Sequence, residues 1–180
     1  MRRSQLITNF IIMIVCFILD SSIAYFLPYN LTKLGVTFIP SLGLMMFILL
    51  CKTLQDRYER FFFATICGFY YAITYTNSML IFILIYTVIA FARTYVVYEE
   101  PLSLMTYMLF AAIVLGFKEI VIYFFLRTIQ MTYLSMRMYV LLRFLPTVLI
   151  NLLFAPVIYL TYNWFEFEVK PNEFDKRELI

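Results

Sequence analysis

Four ionisable side chains stand inside apolar runs of the sequence: Asp20, Lys118, Glu119 and Arg143. An ionised group in hydrocarbon is costly, so such residues face a cavity, a partner or one another, and function is sought there first. Two are acidic and two basic, so a layer holding all four is neutral, as a low-dielectric setting demands. Thr147, Asn151 and Ala155 follow Arg143 at successive intervals of four, on one face of a helix. A stripe of polar and small residues marks a buried interface rather than a lipid-facing surface. The chemistry open to this set is ion pairing and hydrogen bonding. Glu119 with Arg143 is the first pair expected, and the set reads either as a clamp between helices or as a binding or partner-contact site. A proton relay lacks the chain of titratable groups that would lead inward.

Other chemistries are excluded by composition. The sequence has no histidine, the side chain most used for proton transfer and metal ligation near neutral pH. Cys16, Cys51 and Cys67 are scattered through apolar runs without a CxxC pair, so they read as buried inert thiols rather than a zinc site or disulfide framework. No nucleophile with a base is visible. No enzyme, cofactor or metal site is expected. The net charge of +3 is spread over the flanks of apolar segments, unlike the concentrated basic face of a nucleic-acid binder.

The elements that must position these residues follow from the solvent they need. Of 180 residues, 64% are apolar and only 14% charged, whereas soluble domains are roughly 45–50% apolar and about 25% charged. The chain is too small to hide that excess inside itself, and a bilayer does so instead. The segments 6–27, 34–51, 61–77, 79–97, 102–126 and 138–164 have the length and charge content of membrane helices. They predict an all-α membrane domain over 1–164 with a cytoplasmic tail, 165–180. The Thr76, Asn77, Ser78 cluster reads as a turn dividing one apolar stretch into segments three and four. Arg2 and Arg3 before an apolar run give the amino terminus the outline of a signal peptide, but the run is long and reads as a retained first helix. Lys and Arg fall mainly on one side when both termini are cytoplasmic, the outer side holding Lys33, Arg127, Arg137 and Arg143. Asp20, Glu119 and Arg143 then all lie about 8 to 11 Å below the outer surface, at one level.

Small residues at helical spacing, Ala64, Gly68 and Ala72 in segment three and Ala112 and Gly116 in segment five, predict close helix packing or a partner interface. Pro146, Pro156 and Arg143 mark the sixth segment as prone to a break, and Pro146 is grouped with the packing residues. Tyr25, Tyr29, Tyr58, Tyr95, Tyr98 and Trp164 sit at span ends, where amphipathic rings anchor in headgroups.

Together these features resemble the MreD family of rod shape-determining membrane proteins, in its Gram-positive form. The likeness is one of layout over most of the chain. It rests on Asp20 late in helix one, on the stretch from Arg60 through GFYYAITYTNSMLIFILIYTVIAF, on Glu119, and on RFLPTVLIN at 143–151. Family members often carry an acidic residue where Tyr71 stands. The resemblance implies a noncatalytic subunit of the cell-elongation complex in a bacterial plasma membrane. It would bind the single-pass protein MreC, beside MreB, RodA and a class B penicillin-binding protein. It also implies a six-helix fold similar to the substrate-binding S subunits of energy-coupling-factor transporters. That kinship supplies the alternative function, a vitamin-binding subunit, against which the lone Ala24 in helix one counts.

Overall fold

A computed structural model describes residues 2–26, 35–54, 57–75, 79–96 and 103–164. Every regular element among the described residues is helical: α1 (Arg2–Phe26), α2 (Leu42–Thr53), α3 (Arg57–Tyr75), α4 (Met79–Val96), α5 (Leu104–Thr128) and α6, which runs from Met136 to Trp164. Three are long and apolar enough to cross a membrane: α1 over Ile7–Phe26, α5 and α6. Their apolar exteriors fit a membrane protein, since Ile11, Ile18, Ile113, Phe124, Leu153 and Leu160 all stand exposed on them. The turn expected at 76–78 and the tail 165–180 lie outside the described residues, as do Tyr29 and Tyr98, and nothing is described of the Tyr95 side chain. Tyr25, Tyr58 and Trp164 are exposed at helix ends.

Most helices start or stop within a few residues of the segments read from hydropathy, and one does not. The segment expected as a helix over 34–51 is non-helical from Val36 to Ser41, and α2 begins only at Leu42. Pro40 is the reason. It has no N–H for a helical bond and disfavours helical backbone at Ile39. The 12 residues of α2 rise only about 18 Å, against a hydrocarbon core of about 30 Å. Every residue from Pro40 to Cys51 is buried, as expected of a helix that is apolar all round. α2 is the centre of the fold, touched by α1, α3, α4 and α6.

α3 and α4 form the closest helix pair. Ala64, Gly68 and Ala72 give α3 its smooth face. A Cβ on Gly68 would collide with the backbone of Ile83 in α4, 2.7 Å from its nitrogen. This stripe is therefore consumed inside the chain. Gly68→Ala is expected to cost about 1–3 kcal/mol, because the contact is with backbone that has no rotamer to change. Thermal unfolding in detergent checks it. Tyr71, one turn from the stripe, stacks on Tyr86 of α4 at 5.5 Å and meets Phe17 of α1 edge-on at 6.0 Å, filling the junction of α1, α3 and α4.

α6 has a defect just before Pro146 but continues through Pro156 without a break. Val140–Phe144 is a π turn, with the Leu145 N–H bonded to the Val140 carbonyl. The carbonyl of Leu142 would receive the N–H of residue 146 in a regular α-helix, but Pro146 has none. The freed carbonyl accepts instead from Thr37 N, at 2.8 Å. Pro146 thus leaves an acceptor for the non-helical segment.

Candidate functional site

The break at 36–41 creates a problem that the buried polar residues solve. Non-helical backbone that runs from exposed Thr37 into the core at Pro40 and Ser41 must satisfy its polar groups through neighbours. Alternate residues Thr37, Ile39 and Ser41 face α6, as the two-residue period of extended chain allows. Thr37 N donates to Leu142 O, Ile39 N to Thr147 Oγ1 at 3.4 Å, and Ser41 N to Asn151 Oδ1 at 2.8 Å. Asn151 Nδ2 donates to Ile39 O at 2.9 Å and to Thr147 O at 2.7 Å. The polar stripe at intervals of four is thus a ladder of hydrogen bonds along one non-helical segment.

The start of α2 has orphan N–H groups of its own. Ser41, at the cap position, makes no side-chain cap bond. Asp20 of α1 performs that role from outside: Oδ1 accepts from Leu42 N at 2.7 Å, and Oδ2 from Gly43 N at 2.9 Å and from the Tyr71 hydroxyl. A carboxylate at a helix N-terminus also meets the positive end of its dipole. Gly43 is required here, because a Cβ at that position would strike the Phe17 ring.

Lys118 and Glu119 of α5 complete the cluster. Lys118 Nζ donates to Ser41 Oγ at 2.6 Å and lies 3.2 Å from Glu119 Oε1. Glu119 Oε2 accepts from Arg143 Nε at 3.3 Å and from the Tyr139 hydroxyl at 2.9 Å. Asp20, Lys118, Glu119, Thr147 and Asn151 are at most 1% exposed, while Arg143 keeps 21%. The structure therefore brings Asp20, Lys118, Thr147 and Asn151 onto residues 39–43, and Glu119 and Arg143 join them through Lys118. Glu119 has Lys118 and Tyr139 besides Arg143. Arg143→Ala is accordingly expected to cost about 1–2 kcal/mol, one charge-assisted bond rather than an abandoned buried charge. Denaturant titration in detergent measures it.

Sequence reasoning missed Ser41, Tyr139 and the backbone of Ile39, and it did not place Tyr71 beside Asp20. A serine just after proline and before an apolar run is a helix-start signal that would have found Ser41. Of the expected packing residues, Gly116 lies 3.5 Å from the Phe144 ring by its would-be Cβ, and Ala112 is half-buried beside it on α5. Cys16, Cys51 and Cys67 are free and buried, with the Cys67 thiol 3.1 Å from Met13 Sδ. Among the described residues, no three Cys, Asp or Glu side chains converge as metal ligands.

The fully buried side chains of the cluster are engaged with one another and with backbone, Glu119 Oε1 through its ion pair with Lys118 and without a hydrogen bond. What the arrangement can do is hold α1, α2, α5 and α6 in one fixed relation. The open surface lies elsewhere, in an apolar groove of about 430 Å³ between α1 and α3 that is lined by Ile14, Phe17, Ile18, Ile66, Phe69 and Ile73 among others. No family model, curated protein or solved structure matches the chain.

Proposed function

We propose that this chain is a noncatalytic scaffold subunit of the bacterial cell-elongation complex, of the MreD type, seated in the plasma membrane with six crossings and both termini in the cytoplasm. The observation that carries the reading is the closed polar cluster. Asp20 and, from the 143–151 string, Thr147 and Asn151 hold the backbone of residues 39–43, and Glu119 pairs with the Lys118 that reaches the Ser41 hydroxyl and with Arg143. They serve as fasteners, which suits a part whose work is to present fixed helix faces.

The second crossing is a composite. The non-helical residues 36–41 lengthen the rise of about 18 Å that α2 supplies. Discontinuous crossings of this kind are known in transporters, where irregular backbone is tolerated because protein surrounds it. MreC binds on this reading through a membrane helix, and the groove between α1 and α3 offers it an apolar seat whose Thr65 hydroxyl is already bonded to Phe61 O. MreB, RodA and a class B penicillin-binding protein stand in the same complex. Purification in mild detergent from the native membrane tests the proposal. A single-pass protein with a large outer domain is expected to stay bound. A chain recovered alone, folded and carrying a vitamin, would establish the transporter subunit instead.

A further inference from the structure

Residues 129–134, which join α5 to α6, read IQMTYL, with no glycine, proline or charge among them. Loops in water favour Gly, Pro, Asn, Asp and Ser, whereas Ile129, Met131, Tyr133 and Leu134 are apolar or aromatic, and all four are exposed. Met131 is 74% and Tyr133 89% exposed. An unrestrained connection would fold such side chains out of water.

This connection is braced open. Its backbone closes α5 in a Schellman motif, with Met131 N donating to Leu126 O at 2.9 Å and Gln130 N to Arg127 O at 3.2 Å. Gln130 takes the left-handed conformation the motif needs, φ 58°, although glycine would hold it without strain. At the far end Ser135 Oγ accepts from Met138 N at 3.4 Å to start α6, and between the two the hydroxyl of buried Tyr123 donates to Leu134 O at 3.3 Å. The apolar side chains are therefore presented by a fixed turn.

α5 has 25 residues, a rise of about 37 Å, against about 30 Å of hydrocarbon and about 40–45 Å with the headgroups included. Its end, and the turn that follows, fall in the headgroup layer. Irregular backbone exposed to lipid does not occur in the hydrocarbon, but among headgroups water still reaches it, and tyrosine is favoured at that level. The charge is matched as well: Arg127 and Arg137 flank the turn and are exposed, and no acidic residue occurs from Ile120 to Trp164. An apolar edge between two cations suits the surface of a bilayer that contains anionic lipid.

We infer that residues 129–134 are a membrane-surface contact, lying in the headgroup layer with the side chains of Met131 and Tyr133 in lipid rather than water. The inference needs only a membrane around α5 and α6 and stands apart from the MreC reading. The test uses the full chain with Trp164→Phe, which removes its one tryptophan, and Tyr133→Trp as a reporter, in vesicles of phosphatidylglycerol and phosphatidylcholine. Met131→Trp, made separately, is a second reporter, and both positions are exposed enough to take the larger ring. Lipids brominated high on the acyl chain are expected to cut the emission of each reporter about twofold, as for a ring about 5–10 Å into the headgroup and acyl boundary. Acrylamide added to the water should quench both about threefold less than it quenches free tryptophan. Acrylamide quenching equal to that of free tryptophan, with no effect of the brominated lipids, would place the turn in water and overturn the inference. Shielding from both quenchers would overturn it too, and would give the turn to a second copy of the chain.

Discussion

Asp20→Asn, a near-isosteric change, is expected to lower the unfolding free energy by about 3 kcal/mol. The asparagine carbonyl can still accept from Leu42 N, but its amide group is itself a donor and faces Gly43 N and the Tyr71 hydroxyl, two donors at present bound to Oδ2. Tyr71 can turn its hydroxyl to accept, whereas a backbone N–H cannot. Gly43 N is left buried without a partner, and the start of α2 loses the charge opposite its dipole. Chemical unfolding in mixed micelles provides the measurement. A loss below about 0.5 kcal/mol, the scatter of unremarkable surface changes, would mean that Asp20 does not hold α2.

Glu119→Gln is expected to cost about 3–5 kcal/mol, because it strands the Lys118 ammonium in the core and removes the partner of Arg143. The effect is one of uncompensated charge, so it should be reversible by removing the charge. Lys118→Met in the Glu119→Gln background is expected to recover about 1–3 kcal/mol, a coupling of the size found between contacting residues. The recovery stops short of complete because Ser41 Oγ loses its 2.6 Å donor and Arg143 remains. Strictly additive single effects would show that Lys118 and Glu119 do not act as a pair.

The buried ionisable residues were legible in the sequence because hydrocarbon makes such groups conspicuous. The spacing of Arg143, Thr147 and Asn151 was equally plain, since four residues return a helix to the same face. What those residues act upon was hidden. Hydropathy does not distinguish a non-helical apolar segment from a helical one, so residues 34–51 read as a single crossing although Pro40 stands inside it. With the break unseen, Asp20 had no helix end to cap, Lys118 no Ser41 to bind, and Asn151 no non-helical backbone to hold. The π turn was illegible for a similar reason. Pro146 announces a defect in α6, but only the position of Thr37 shows where the released Leu142 carbonyl turns. The stripe of Ala64, Gly68 and Ala72 signalled close packing correctly, while its partner, α4 of the same chain, became known only from the contact at Ile83.

Hydrogen exchange of the chain in nanodiscs tests most directly whether residues 39–43 are pinned by the buried polar cluster. The N–H groups of Ser41, Leu42 and Gly43 should exchange as slowly as the core of α5 although they precede or begin a helix, and Asp20→Asn should accelerate them selectively. Exchange as fast as that of the exposed connection at Met131–Leu134, or indifferent to Asp20→Asn, would contradict the account.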